Sequence, residues 1–566
     1  MTKFAWVNDA RIEQNARGQA VGSARKVIPT LGDAPVGAVL DAALAELLET
    51  GIVGTSIIDV MAAPYNAFGD GIADDTVVIQ RALDDAGVSA TANAQALVII
   101  PRLCKVTPQA LIGGGPGGSY CIKVPSYVTV QGRGDNTGFV CATDAATVVL
   151  VQGTADAAHN KGAQIRNLSV RSGDSSVNNM GRGIYLMRAD YAVVENCDVR
   201  GSIIGIQCDV PTADTYRNLA PRIVGNRVHD TYWSGALQTG NGTGIFLAGT
   251  TGGLVAHNRM YNIAEHCVYI SAETRGVTIA HNDLRPLNAS NQNCGVQIYT
   301  SVATPNIDGI VIQGNTVVGG KWGILASTTT PYIKRVNVNG NVVSGQTTDG
   351  IVFSQCEECS ATSNTVSGVT AGDGIRADAS RAMLFSGNTS MANGNSGLMF
   401  YNTVNSIISD NISLNNDQAN STNYGLRLGA TSTGNRIIGN ICTDNQVSKT
   451  QKYGIQGDAG AIDNYISGNY VLGNVTASMS TFGCMIDNNK GYNPVGPSSI
   501  GVTASPMTYT AGQSPETVYV YQGTVSSITK GASTLATQTN QQFLLAPGQA
   551  IVITYSVAPF MTKDIQ

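Results

Sequence analysis

An asparagine returns along most of this chain, each time closing a short apolar run. It stands at Asn167, Asn196, Asn226, Asn258, Asn282, Asn315, Asn341, Asn364, Asn388, Asn411, Asn440 and Asn469, at intervals of 23 to 33 residues. The residue three places earlier is mostly apolar, as at Val193, Val255, Ile279, Ile312 and Val338. A second register runs out of phase with the first. It reads Gly183-Ile-Tyr-Leu, Gly205-Ile-Gln-Cys, Gly244-Ile-Phe-Leu, Cys267-Val-Tyr-Ile, Gly295-Val-Gln-Ile and Gly323-Ile-Leu-Ala, and it continues to Gly454-Ile-Gln-Gly and Gly483-Cys-Met-Ile. Positions two and four are apolar and position three varies, the period-two pattern of a strand with one buried face.

Two phased strand signals per repeat predict one β-coil per repeat. Coils stack at about 4.8 Å, so twelve extend roughly 55–60 Å. The fold expected over residues 124–490 is a right-handed parallel β-helix, making the chain all-β. Asn suits a turn because it tolerates the left-handed conformation. Stacked once per coil, its amides can bond up and down the column, which is a structural role. A propeller blade needs a longer unit, and no helical period lies between the strands.

Composition agrees. Charged residues are 13% of the 566, against 65 glycines, which favours strands and tight turns. The net charge is −5 and no Lys/Arg block occurs, so a nucleic-acid partner is not expected. No apolar run reaches membrane-spanning length, and the first residues lack a signal peptide's apolar core, which predicts synthesis in a cytoplasm and no membrane partner. The eleven cysteines are scattered, with Cys356 and Cys359 in the single CxxC, and read as small buried residues.

The ends of such a stack need covering. Residues 61–123 supply an entrance cap. In Phe68-Gly-Asp-Gly-Ile-Ala-Asp-Asp-Thr, Asp74 or Asp75 is placed to cap a helix on which Thr76, Ile79, Ala82, Leu83 and Ala86 share a face. Residues 1–60 form an extra leading segment. Its residues 33–49 read as an amphipathic helix with Val36, Leu40, Ala43 and Leu47 on one seam. A linker is expected at 494–499. A small β domain follows over 495–566, with strands at 517–521 and 550–555.

The Gly-Asp-Gly…Asp-Asp-Thr…Ile-Gln-Arg-Ala-Leu stretch resembles the entrance motif of the pectate-lyase-like β-helix superfamily. That group includes phage tailspikes, glycosidases, polysaccharide lyases and alginate epimerases. The motif is specific for the fold and silent on the reaction. The closing residues 545–562 resemble C-terminal segments of phage tailspike and tail-fibre proteins. The resemblance implies a virion-borne homotrimer attached to the phage tail or baseplate through its N-terminus. It also implies binding and depolymerisation of a bacterial surface polysaccharide, by hydrolysis or by lyase elimination, with the C-terminal domain serving trimerisation or carbohydrate binding. A non-catalytic receptor-binding fibre and a bacterial β-helix lyase or epimerase are the alternatives.

The most polar coils are those of Asn226, Asn258 and Asn282. Val228, Met260, Leu284 and Val317, two after each Asn, should point inward, so their neighbours face out. One outward column then reads Arg227, Arg259, Asp283, and the next His229, Tyr261, Arg285. His257 and His281 stack just before the Asn. A uronate lyase needs a cation and a base, which Arg259 or Arg285 with His229 or Tyr261 could supply. A hydrolase needs two carboxyls, with Asp230, Glu265, Glu273 and Asp283 as candidates, although Glu265 and Glu273 are too far apart to pair with each other. His266 follows Glu265, but no partner motif completes a metal site, so neither metal nor cofactor is expected. Trp233, Tyr232, Tyr216, Tyr269, Tyr299 and Trp322 could stack on sugars. A second group, Asp349, Asp373, Arg376 and Asp378, offers paired carboxyls, with turn-forming as the simpler reading of Asp349 and Asp373.

Overall fold

A computed structural model describes residues 56–566, apart from 112–117, 142–145, 173–179, 212, 233–241, 288–292, 301–305, 330–331, 421, 482, 494 and 566. Two paired antiparallel strands, Lys3–Val7 and Ala10–Gln14, are also described. The helix expected over 33–49 and the ring of Trp233 lie outside the described residues.

Each coil carries three strands where the sequence signalled two. Strands ending before the Asn turn form a 16-stranded first sheet, from Ile57–Asp59 to Met485–Asp487. Strands leaving that turn form a 13-stranded second sheet, from Leu103–Val106 to Ile441–Thr443. The Gly-led strands form a 15-stranded third sheet, ending at Ala477–Ser480. Neighbouring coils pair in parallel, as where Val194 meets Ile223 and Val228 meets Met260. The first two strands merged in the sequence because only a two-residue turn separates them. Most are three residues long with one inward side chain. Val194, Ile223, Val255, Ile279, Ile312 and Val338 stack along the interior, all fully buried. Gly483-Cys-Met-Ile does not belong to the Gly register: Met485–Asp487 closes the first sheet.

The asparagine column is an amide ladder. The Oδ1 of Asn258 accepts both the N–H and the Nδ2 of Asn226 at 2.9 Å, and the Nδ2 of Asn226 also donates to Val194 O at 2.9 Å. The same pattern repeats from Asn258 through Asn469 to Asn489. Both amide donors and both acceptor sites are used, which is what makes a buried carboxamide tolerable. The left-handed residue is the one before the ladder Asn, for example Gly225, His257, His281, Gly314 and Ser363, and not the Asn itself. Asn167 and Asn196 are corrected accordingly. They take the left-handed seat, with φ of 52° and 51°, and Leu168 and Cys197 fill the ladder position. Cys197 N still donates to Asn226 Oδ1 at 2.9 Å.

The helix Thr76–Ser89 covers the entrance, with Thr76, Ile79, Ala82, Leu83 and Ala86 buried. Asp75 stands at its N-cap without a side-chain capping bond. Its carboxylate instead accepts Phe68 N at 2.7 Å and Gly69 N at 2.9 Å, while Asp74 accepts Thr76 N at 3.0 Å. These acids are therefore structural. All eleven cysteines are buried and none is in a disulfide. At the far end, two four-stranded antiparallel sheets enclose a separate core that includes Val518, Val520, Ile528, Ile551 and Ile553. The segment expected as a linker contains a strand, Gly496–Ile500, paired with Phe560–Ile565.

Replacing Asn341 by Leu orphans the N–H of Asn315 and removes one of the bonds of its Nδ2, both made to Asn341 Oδ1 at 2.9 Å, while Nδ2 keeps Ile279 O at 3.0 Å; the amide bonds of Asn341 itself are lost as well. Stranded buried donors cost about 1–3 kcal/mol each. Urea unfolding of Asn341→Leu should show a loss of about 2–5 kcal/mol, whereas exposed Asn337→Ser should stay within about 0.5 kcal/mol. Equal losses would remove the ladder's stabilising role.

Candidate functional site

The residues singled out in the sequence divide between two faces. His229, Asp230, Arg259, Tyr261, Asp283 and Arg285 lie on the second sheet in the expected register: Arg227, Arg259 and Asp283 form one column and His229, Tyr261 and Arg285 the next. Glu265, His266, Tyr269, Tyr299 and Trp322 lie along the third sheet. Tyr232 follows the His229 strand and donates its N–H to Ser202 O at 3.1 Å. Glu273 occupies a left-handed turn position beyond the strand Val268–Ile270 and pairs with Arg217 at 3.1 Å, so it does not face Glu265.

The second-sheet group is a closed network. His229 is 4% exposed. Its Nδ1 meets Asp230 Oδ2 at 2.7 Å and its Nε2 meets Asp198 Oδ1 at 2.9 Å. Its ring stacks on Tyr261 with centroids 4.6 Å apart. Both ring nitrogens are thus occupied, which leaves none to take a substrate proton. Burial alone would raise the Asp198 carboxyl, but hydrogen bonds from His229 and Arg227 outweigh it and hold the group well below the usual range. Asp283 bonds Arg285 Nε at 2.9 Å, and Arg259 approaches Asp283 at 3.7 Å and the Tyr261 ring at 5.6 Å. His257 and His281 stack at 5.4 Å as expected.

The third sheet presents a different environment. Its outward column runs Phe246, Tyr269, Gln297, Leu325, Val352, Arg376, and a parallel one runs Tyr299, Ser327, Ser354, Asp378. Between them lies a cavity of about 470 Å³. Its walls include the rings of Tyr299 and Trp322 and the charged groups of Asp349, Arg376 and Asp378. The Arg376 guanidinium is 3.8 Å from Asp378. Asp349 and Asp373 sit on successive coils. Asp349 Oδ1 accepts Asp373 N at 2.9 Å, and Asp373 Oδ1 accepts Ser396 N at 3.0 Å. That is the turn role anticipated for them, yet both are buried carboxyls. Burial raises Asp349, and burial followed by the Asp349 charge pushes Asp373 up to about 7.

Toward the N-terminal side of this face, burial pushes Glu265 up to about 7 and His266 down to about 3, and lifts Tyr269 to about 12. Glu265 Oε2 and His266 Nδ1 have no hydrogen-bond partner among the described residues. The His266 and Tyr269 rings lie 5.1 Å apart. The sequence held a signal for this face: the variable third position of every Gly-led strand is its outward column. Leu325 and Val352 in that column are apolar, so the column carries no run of polar residues that would mark a groove.

Two family models match parts of the chain: "Right handed beta helix region" over residues 157–335 and "Periplasmic copper-binding protein (NosD)" over 287–490. Residues 287–490 contain no histidine, and their five cysteines are buried and in no disulfide. Among the described residues no three His, Cys, Asp or Glu side chains gather as a metal-binding group. The side chains of this segment do not fit copper ligation. No curated protein sequence matches this one. Among solved structures, a mutant tailspike protein of E. coli bacteriophage HK620 with a bound pentasaccharide is 13% identical, covering 92% of this chain and 94% of that one, with a TM-score of 0.55. A hexasaccharide complex of a mutant HK620 tailspike gives 13% identity, the same coverages and a TM-score of 0.54. The A-module of Azotobacter vinelandii mannuronan C-5 epimerase AlgE6 is 15% identical over 76% of this chain and 99% of that one, with a TM-score of 0.46. With its coil stack, its capping helix and this likeness of fold, the chain is a right-handed parallel β-helix protein.

Proposed function

We propose that this protein binds a bacterial surface polysaccharide along its third sheet and depolymerises it there. The observation that carries the proposal is the cavity in which the Tyr299 and Trp322 rings stand beside Asp349, Arg376 and Asp378. Aromatic faces stack on sugar rings, and a few convergent polar groups fix orientation. Asp349 and Asp373 are one coil apart, about 4.8 Å by strand spacing, close to the roughly 5 Å between the two carboxyls of a retaining glycosidase. Asp373, pushed up to about 7 by burial and the Asp349 charge, holds its proton below that pH and serves as the acid. Asp349, lining the cavity, is its charged partner, and Arg376 holds the sugar. This moves the site from the His229, Tyr261 and Arg285 network, whose groups already satisfy one another. Glu265 and His266 lie on the same face, toward its N-terminal side, outside the walls of that cavity.

A receptor-binding fibre without cleavage is the second reading. It is favoured by the turn bonds of Asp349 and Asp373, which give both residues a purely structural use. We further propose a virion-borne homotrimer. On the second sheet of the later coils, Ile412 and Ile441 are neighbours in one column, 39% and 40% exposed, and Val342, 47% exposed, stands in the same column beyond Thr365 and Thr389, which gives aliphatic surface suited to a subunit contact.

The purified protein should shorten capsular or O-antigen polysaccharide from its host. Asp349→Asn should lower that rate by about 10²–10⁴-fold while polymer binding persists. Activity should fall as pH rises through about 7, because Asp373 then loses its proton. His229→Ala should keep most of the activity. Retention of polymer without shortening would select the fibre reading, and an unsaturated uronate product would select a lyase. Sedimentation equilibrium should give three copies, and a monomer would contradict the trimer.

A further inference from the structure

On the second sheet, Arg171 and Arg200 occupy the same column of successive coils, directly paired in the strand register, with His229 next in line. Their strands lie about 4.8 Å apart, and the two guanidiniums are close enough that the Arg200 charge acts against the Arg171 cation. The acids that could neutralise them are already committed. Asp198 takes Arg227 Nε at 2.6 Å and His229 Nε2 at 2.9 Å. Asp230 takes His229 Nδ1 at 2.7 Å and Asn262 Nδ2 at 2.9 Å. Among the described residues, neither Arg171 nor Arg200 has a hydrogen bond or an ion pair of its own, and both side chains are half-buried. Burial, and then the Arg200 charge, makes the Arg171 cation less favourable than in water, with Asp198 opposing only in part.

Asp198 and Asp230 attract the pair without bonding to it, and a folded surface seldom leaves two adjacent, half-buried cations without a directly bonded anion unless a ligand supplies it. We propose that Arg171 and Arg200 form an oxyanion-binding site that takes a carboxylate, sulfate or phosphate group. Ten N–H donors on neighbouring coils suit such a group, because each guanidinium can present a two-pronged edge to a pair of oxygens. A point charge such as Lys would not do the same. The oxyanion bridges the two coils and converts a repulsive pair into a bound triad. It is carried either as a substituent of an anionic polysaccharide or as a free ion. The site lies on a different face from the cavity at Asp349 and does not depend on cleavage there.

The test uses the full chain and two probes, sodium sulfate and a galacturonic acid trimer, followed by titration calorimetry at pH 7 and constant ionic strength. The wild type should bind at least one probe, and Arg171→Gln and Arg200→Gln should each weaken that binding at least about tenfold. Arg171→Lys should also lose affinity, because it keeps the charge but not the fork. A trimer binding at least about tenfold more tightly than sulfate indicates a polymer-borne group, and equal or weaker binding indicates a free anion. Thermal melting supplies an independent readout. Sulfate stabilises proteins generally, so the relevant quantity is the difference from chloride in wild type minus that in the double variant Arg171→Gln/Arg200→Gln. This difference should be positive, and the double variant should melt no lower than wild type in chloride because the repulsion is gone. Absence of binding of both probes to wild type, or unchanged binding in the variants, overturns the proposal.

Discussion

The Asn ladder is the interaction on which the other coils depend. Backbone pairing alone leaves the register of parallel strands weakly specified, because a slip of one residue swaps inward and outward faces. The ladder removes that freedom. Each Asn Oδ1 is held by both the backbone N–H and the Nδ2 of the preceding Asn, so a slipped coil would strand buried donors. Coils of very different length, from the short ones near Asn364 to the long one before Asn258, are thus brought back to a common origin. All the variation is pushed into the connections beyond the turn, where it does not disturb the stacked interior.

From that origin the outward faces acquire distinct chemistries. On the second sheet the early coils carry Arg, Asp, His and Tyr, which bind one another, and the later coils carry Val342, Ile412 and Ile441. On the third sheet, aromatic and aliphatic side chains surround carboxyls that have few partners. Burial raises Glu265, burial and the Asp349 charge raise Asp373, and hydrogen bonds from His229 and Arg227 outweigh burial and lower Asp198. The same residue type therefore titrates in opposite directions on two faces of one solenoid. Proton transfer near neutral pH is open to the first pair and closed to the last.

Much of this was legible in the sequence. The inward positions Val228, Met260, Leu284 and Val317 and the stacked columns beside them follow from counting outward from each Asn, because the ladder fixes phase on both sides of the turn. The turn itself was less legible. Asn serves equally as a ladder rung and as a left-handed residue, so Asn167 and Asn196 looked like rungs although Leu168 and Cys197 occupy that seat. The groove was harder still. Salient charges drew attention to His229 and Arg285, yet proximity of opposite charges is what satisfies them. The groups with unused capacity, Glu265 Oε2 and His266 Nδ1, stand out only once burial is known. Asp349 and Asp373 were visible as a stacked pair, but neither their burial nor the cavity beside Asp349 can be read from spacing.

A crystal structure of Asp349→Asn with an oligosaccharide cut from the host polymer is the most direct measurement of where the substrate lies. Sugar rings packed against Tyr299 and Trp322, with a hydroxyl or carboxylate group on Arg376, are the expected result. Sugar confined to the second sheet over Tyr261 and Arg285, with the third-sheet cavity empty, would contradict the assignment of the groove.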